Sequence, residues 1–338
     1  MAFYDSIKLE KGMYNQGLTK ALESIDPSEA YEGTELSGLD AYERQLKRFN
    51  IKVKGQNSDV LDSFFKTTDS AVLFPEFVKR SVLQGMESCT VLQSIVATVT
   101  NVENNDYRTI KATTDATSGN AINEASDLPK TTIQTKSNLV AMKKRGRVIA
   151  SSYEALRHKR LDLFAVMLRR IGADIARAQL GDAVDVLQNG DETGNAAELV
   201  PAVSTSGIAY ADLVELWGSF TNCEPNVILA NTKVMQALLG IKELQDVQTL
   251  NSFKGAETTL TVLGARLCRV NSIANDILLA LNKDDALEMV MLMDGLVVDS
   301  DKMIDKDLSR SSVTSTVGFA KISQDSVKQM ECTLGATE

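Results

Sequence analysis

NVENNDYRTIKATTDATSGNAINEASDLPKTTIQTKSN, residues 101–138, reads as two extended arms with almost nothing to bury. Its apolar side chains thin out to Tyr107, Ile110, Ile122, Leu128 and Ile133, set among Thr, Asn, Asp, Ser and Lys. Those residue types favour strand and turn over helix. A hairpin of roughly ten to fifteen residues per arm would reach about 33 to 50 Å at the usual strand rise. A two-stranded ribbon is marginal in water by itself, so the expected use of this one is to lie across another subunit, with those five apolar residues as candidate intersubunit contacts. A disordered surface insertion would have a similar composition.

The 338 residues, 43% of them hydrophobic and 24% charged, suffice for one elaborate domain or two compact ones. The longest apolar runs, such as Leu287 to Leu292, fall far short of the roughly 18 residues of a membrane span. Asp5 and Glu10 interrupt the first ten residues, which do not follow the basic-then-apolar order of a secretory signal. A cytosolic product is therefore expected. Cys89, Cys223, Cys268 and Cys332 form no C-x-x-C pair, and reduced thiols are the default reading. A formal net charge of -9 argues against tight sequence-independent binding of nucleic acid, which needs clustered Lys and Arg.

Outward from the ribbon, local signals mark the elements. Asp26-Pro27-Ser28-Glu29 has the order of an N-cap, a first-turn proline and an acid, and predicts a helix start. Leu39, Tyr42, Leu46 and Phe49 fall at helical spacing, with Arg44, Lys47 and Arg48 off that face. The first 65 residues thus read as short helices in a polar arm. Val72-Leu73-Phe74-Pro75 reads as an extended piece before a helix with Glu76 in its first turn, and Val91 to Val102 as a strand. Leu139 to Ala150 is strand-like and carries Lys143, Lys144, Arg145 and Arg147, the one dense basic cluster. This cluster is either a solvated, protected strand edge or a surface that meets acid on a neighbour.

Ser151-x-x-Glu154 reads as a capping box, and Leu161, Phe164, Leu168, Ile171, Ile175 and Ala178 form one apolar stripe of a long helix over 161–187. At 1.5 Å per residue it would span roughly 40 Å. Gly172 and Gly181 within it suggest close backbone packing. Beyond the turn at Asn189-Gly190-Asp191, helices near 210–220 and 232–239 alternate with strands at 226–230, 259–263, 266–270, 277–282 and 288–293, a mixed α/β layer. Strand character returns at 295–298 and 313–322.

Active-site chemistry is thin. His158, the only histidine, sits between Arg157 and Lys159 and reads as a surface residue. Asp284-Asp285 and Asp299-Ser300-Asp301 are acidic turns without a calcium-loop pattern. No phosphate loop or dinucleotide fingerprint occurs, so no cofactor, metal or catalytic residue is expected. Trp217 reads as core, with Leu213, Leu216 and Phe220.

The order of parts, a helical N-terminal arm, Phe74-Pro75-Glu76 before a helix, a long ribbon, Ser151-Ser152-Tyr153-Glu154-Ala155-Leu156 before a long helix, an α/β region and the return over Gly295 to Ile322, resembles the tailed-bacteriophage major capsid proteins of the Hong Kong 97 type. The resemblance implies an α+β fold: an N-terminal arm over 1–75, a peripheral domain over 76–189 and 295–338 that includes the extended loop 101–138 and the spine helix 161–187, and an axial domain over 190–294. It also implies a structural, non-enzymatic subunit that assembles in the host cytoplasm as hexamers and pentamers into an icosahedral virion shell. That shell would enclose double-stranded DNA without sequence-specific binding, with portal and scaffolding or decoration proteins as partners and no membrane. The rival readings are an encapsulin-like nanocompartment shell and, from a different class, a cytosolic α/β enzyme.

Overall fold

The computed structural model describes residues 17–114, 131–152, 159–192, 194–205, 207–245, 261–293, 295–303 and 308–333. Two compact units emerge, each discontinuous in sequence: 1–88, 145–175 and 296–315 form one, and 89–144, 176–295 and 316–338 the other. These boundaries differ from those implied by the resemblance. The ribbon and residues 316–338 group with residues 176–295, and the N-terminal arm groups with the first half of the long helix and with 296–315.

In the first unit the helices are α1 (Leu18–Ile25), α2 (Ala41–Arg48), α3 (Thr68–Ala71) and α4 (Phe74–Glu87). The arm is not a polar appendage. Leu22, Tyr42, Leu46, Phe64, Phe74, Phe77, Val82, Phe164 and Leu168 share one core. Phe64 lies 5.4 Å from Phe77, and Phe74 6.2 Å from Phe164, centroid to centroid. Such aromatic pairs add about 0.5–1.5 kcal/mol beyond their buried area.

Two local expectations fail here for tertiary reasons. Only a 3-10 turn, Ser28–Tyr31, follows Pro27, because Asp26 is engaged elsewhere. Its carboxylate accepts from Arg44 Nε at 2.9 Å, and Arg44, expected on the solvent side, is 1% exposed. The same guanidinium donates to Ser28 Oγ at 3.0 Å and to the Leu39 carbonyl at 2.7 Å. Likewise Val72 to Pro75 is not extended: α3 is capped by Thr67 Oγ1, which accepts from Ser70 N at 3.1 Å, and α4 begins at Phe74. Pro75 fits because a first-turn N–H has no intrahelical acceptor.

The long helix, α6 (Leu161–Asn189), follows α5 (Thr90–Ile95) in chain order, gives its first half to the first unit and its second half to the other, and confirms the stripe read from sequence. Where it meets α4, both helices present glycine. A Cβ at Gly172 would lie 2.0 Å from the Val82 carbonyl oxygen, and one at Gly85 would lie 2.0 Å from that of Arg169. Gly181 differs, since its added Cβ would meet Ser272 Cβ at an ordinary 3.7 Å. Strands β4 (Lys143–Ser152) and β11 (Val297–Met303) both pair with β12 (Leu308–Lys321). Ser151 and Ser152 belong to β4, while Glu154 and His158, and with them the expected capping box, lie outside the described residues.

The second unit is organised on a six-stranded mixed sheet in the order β5-β13-β9-β6-β8-β7. Its strands are β5 (Glu198–Val200), β6 (Val227–Ala230), β7 (Thr261–Val262), β8 (Ala265–Arg269), β9 (Ile277–Leu281) and β13 (Val327–Glu331). Side chains alternate between its faces. Leu229, Leu279 and Leu281 meet Leu180, Ala183, Val184 and Leu187 of α6 on one side. Ile228, Leu278 and Ala280 meet α7 (Tyr210–Gly218) and α8 (Thr232–Leu239) on the other. Burial on both faces explains why these strands read as unbroken apolar runs. Of the expected strand over 91–102 only β1 (Thr98–Val102) forms, since Leu92 and Ile95 turn one face of the short helix α5 into the core. Strand β1 pairs in parallel with β10 (Leu287–Leu292), which pairs antiparallel with the last residues of β12.

The glycine crossing yields a paired expectation. Gly172→Ala should lower stability by about 1–3 kcal/mol, the range for overpacking, whereas Gly181→Ala should leave it unchanged or raise it by about 0.5–1 kcal/mol through helix propensity. Denaturant titration of the two variants checks the contrast.

Candidate intersubunit surfaces

The ribbon is β2 (Ile110–Thr114) paired antiparallel with β3 (Thr131–Thr135), and it leaves the body through a buried polar root. On the incoming arm, the carboxylate of Glu288 in β10 accepts from Thr100 Oγ1 at 2.6 Å, from Tyr107 OH at 2.7 Å and from Thr109 Oγ1. Both Glu288 and Thr109 are buried. Burial first, then the hydrogen bond and charge of Glu288, push the Tyr107 phenol above its ordinary pKa, so this hydroxyl remains a donor.

On the returning arm, Lys136 is buried, and its Nζ donates to both carboxylate oxygens of Asp191 at 3.2 Å and to the Lys321 carbonyl at 2.7 Å. Asp191 stands directly after α6 because Gly190, at φ 83°, turns the chain there. The same carboxylate accepts from the Lys321 backbone N–H at 3.2 Å and from Asn195 Nδ2, while Asn138 Nδ2 donates to the Asp191 carbonyl at 3.0 Å. Lys321 Nζ donates to the Asn195 carbonyl at 2.9 Å. Burial pulls the Lys321 ammonium down to about 8; Asp191 opposes this and the charge of Lys136 adds to it. Lys136 N donates to the Thr109 carbonyl and Val140 N to the Tyr107 carbonyl, closing the root across both arms.

Beyond the root both described isoleucines of the ribbon are exposed. Ile110 is 58% exposed and Ile133 67%. Ile110 stands opposite Thr135, and Ile133 opposite Ala112, so the two isoleucines are diagonal neighbours on one face. Tyr107, expected as a contact to a neighbour, instead serves its own chain in the root. Ile122 and Leu128 lie outside the described residues. Glu288, Lys136, Asp191 and Lys321 were not singled out by the sequence, where their partners stand 55 to 188 positions apart.

The basic strand β4 is partly engaged. Lys143 Nζ meets Asp182 at 2.9 Å, and Arg147 meets Asp174 at 3.7 Å, both acids belonging to α6. Exposed pairs of this kind are worth about 0–1 kcal/mol. Lys144 is exposed and Arg145 half-buried. Trp217, expected in the core, is 44% exposed, although Leu213 and Leu216 beside it are buried as anticipated. In the first unit, a cleft of about 610 Å³ is lined by Tyr42, Leu46, Phe77, Arg80, Asp162 and Arg169. Its charges face one another or nearby groups: Arg80 meets Asp40 at 2.6 Å and Glu76 at 3.2 Å, and Asp162 meets Arg160 at 2.8 Å. Among the described residues no group of His, Cys, Asp and Glu could hold a metal ion, and no helix is long and apolar enough to cross a membrane.

Residues 134–319, from the returning arm of the ribbon through β12, match the model of the phage capsid protein family. The chain belongs to that family. Among solved structures, this capsid protein is similar to the virus-like particle from Pyrococcus furiosus, at 13% identity over 76% of this chain and 98% of that one, with a TM-score of 0.52. It is also similar to the capsid of a native GTA particle, at 16% identity over 72% and 90% of the two chains, TM-score 0.50. A third likeness is to Microbacterium phage Oxtober96, at 12% identity over 71% and 90%, TM-score 0.50. At these identities the likeness is one of fold. No curated protein matches the sequence. The fold is thus the α+β fold of phage capsid proteins, and the family is a structural one.

The root of this capsid protein carries a pH signature. Because the folded pKa of Lys321 lies below its unfolded value of about 10.4, the unfolded chain binds more protons between the two, and this group's contribution to stability rises from pH 8 toward pH 10 and is lost as pH falls through 8. Lys321→Met should abolish that rise. Stability measured across pH 7–10 for both proteins, and subtracted to cancel groups common to them, checks the sign.

Proposed function

We propose that this capsid protein is the main shell-building subunit of a tailed-phage head, assembling as hexamers and pentamers into an icosahedral shell around double-stranded DNA. The observation that carries the reading is the ribbon: a buried, hydrogen-bonded root holding out two isoleucines that the described residues of its own chain leave exposed. A partner on another subunit supplies the missing cover. With its base held by the root, the described part of the ribbon, β2 and β3, needs little further ordering to bind, which lowers the cost of association.

The remaining assignments follow from this reading. Residues 190–294, with the six-stranded sheet, form the axial part around local symmetry axes, and the spine helix with the arm and the return strands forms the periphery. Lys144, the most available of the basic cluster, joins Ile110 and Ile133 as a contact to a neighbour; Lys143, Arg145 and Arg147 act mainly within their own subunit. A net charge of -9 keeps the shell from gripping the genome it encloses. Portal and scaffolding or decoration proteins are the expected partners, and the host cytoplasm the site of assembly. A nanocompartment shell differs in content, so nuclease-protected DNA in purified particles supports the phage head and packaged protein without DNA supports the compartment.

Replacing both Ile110 and Ile133 by Asp should leave the subunit folded while raising the concentration needed for assembly by roughly a hundredfold or more, since burying each of the two isoleucines is worth about 1.5–3 kcal/mol. Circular dichroism should match that of the original protein while sedimentation and electron microscopy diverge. A double variant that assembles at the original concentration would remove the ribbon from the contact. Lys144→Glu should weaken assembly most at low salt, where exposed charges are least screened.

A further inference from the structure

The cleft of the first unit opens between α2, α4 and the first half of α6. Val53, Leu83 and Ala165 give it apolar walls that are only half-buried, although each packs against the aromatic core below. Lys54 and Glu87 stand exposed on its rim, and neither pairs with an opposite charge among the described residues. At about 610 Å³ it falls within the roughly 300–1,000 Å³ of pockets that enclose a ligand. Helix α1 is pinned to one wall of it. Thr19 Oγ1, in the first turn of α1, donates to Glu76 Oε1 at 2.6 Å and accepts from Arg80 Nη2 at 3.0 Å, and Arg80 lines the cleft. Immediately before α1 the chain bends at Gly17, whose φ of 84° favours glycine.

We propose that residues 1–16 of the same chain occupy this cleft, laid across it as a strap between the arm and the spine helix. They lie outside the described residues, and three features of the chain select them as the occupant. The first is position: the described chain starts at Gly17, two residues from Thr19 at the wall of the cleft. The second is reach, because sixteen residues span about 50 Å when extended and about 24 Å even as a helix. The third is chemical match. Phe3, Tyr4, Ile7 and Leu9 supply apolar side chains for the half-buried walls, while Asp5, Lys8, Glu10 and Lys11 bring both signs of charge to a rim that carries both. Two acids against two lysines leave the segment's side chains without net charge, so an acidic subunit does not repel it. Tethering then makes modest affinity sufficient. At an effective concentration on the order of 1 mM, a dissociation constant of about 0.1 mM keeps the strap closed about nine-tenths of the time.

The test uses the full-length, dissociated subunit and a fluorescent synthetic peptide of residues 1–16, read by fluorescence anisotropy. In the variant Phe3→Asp/Ile7→Asp the chain's own strap is displaced, so this variant should bind the peptide saturably, with a dissociation constant of about 0.1 mM. The original chain, its cleft already filled, should bind it about tenfold more weakly. Adding Ala165→Gln to the double variant fills the cleft from the spine helix and should abolish binding while circular dichroism stays unchanged. A peptide carrying Phe3→Asp and Ile7→Asp should also fail to bind, with no change made to the protein. Trypsin gives a second readout: cleavage after Lys8 and Lys11 should be about tenfold faster in the double variant than in the original chain. Equal peptide binding by the two chains, or equal cleavage, would overturn the proposal by leaving the cleft open to a segment of a second copy or to another protein. No binding to either chain, or binding that survives Ala165→Gln, would overturn it by removing residues 1–16 from the cleft. None of these outcomes bears on the shell reading, which rests on the ribbon.

Discussion

One carboxylate, Asp191, pairs with the buried Lys136 ammonium and accepts the backbone N–H of Lys321 just beyond the end of the spine helix. An unpaired buried charge costs several kcal/mol, so Lys136 depends on this carboxylate, and the Lys321 ammonium, held by the Asn195 carbonyl, is favoured by its charge. The arrangement ties three distant pieces of sequence, the returning ribbon arm, the turn after α6 and the end of β12, to one site. Glu288 does the same for the incoming arm with three hydroxyl donors. The ribbon therefore has a fixed direction although its strands bury almost nothing of their own.

The stability that offsets such a root lies in the six-stranded sheet of the same unit. Strands β6 and β9 are apolar on both faces, filled on one side by the second half of α6 and on the other by α7 and α8. This double burial supplies the stability on which a polar, imperfectly shielded cluster can be built. The arm helices of the first unit follow a similar rule. Arg44 is wholly buried, yet its fork is satisfied by Asp26, Ser28 and Leu39, with its guanidinium carbon 4.4 Å from the centre of the Tyr31 ring.

Periodicity carried the fold well wherever one element's own residues decide its form. The stripe from Leu161 to Ala178 and the apolar runs at 227–230 and 277–281 are such cases, and helix 232–239 agrees end to end. It failed where a distant partner decides. Asp26 resembles an N-cap until Arg44 claims it, and Val72 to Phe74 looks extended until Leu73 and Phe74 are drawn into the aromatic core. Trp217 has the spacing of a core residue, but helical spacing alone cannot say how wide the buried stripe is. The ribbon was legible as a ribbon because of what it lacks, whereas its root was not, because lysines and acids scattered over nearly two hundred residues carry no local pattern.

The same contrast bears on how a capsid protein associates. The apolar surfaces left bare, the isoleucine face of the ribbon and the exposed Trp217 of α7, are each small, and the basic strand spends much of its charge on its own spine helix. A single small contact is readily reversible, which lets a misplaced subunit leave before its neighbours fix it. Once several contacts close on the same subunit, each later one forms at a high effective concentration, and the whole becomes far stronger than any member. Contacts that were individually strong would trap errors, and copies that share a net charge of -9 attract one another through charge only where a basic residue such as Lys144 meets acid. Small uncharged patches held on rigid supports meet both constraints, and the rigid supports are what the buried root and the doubly covered sheet provide.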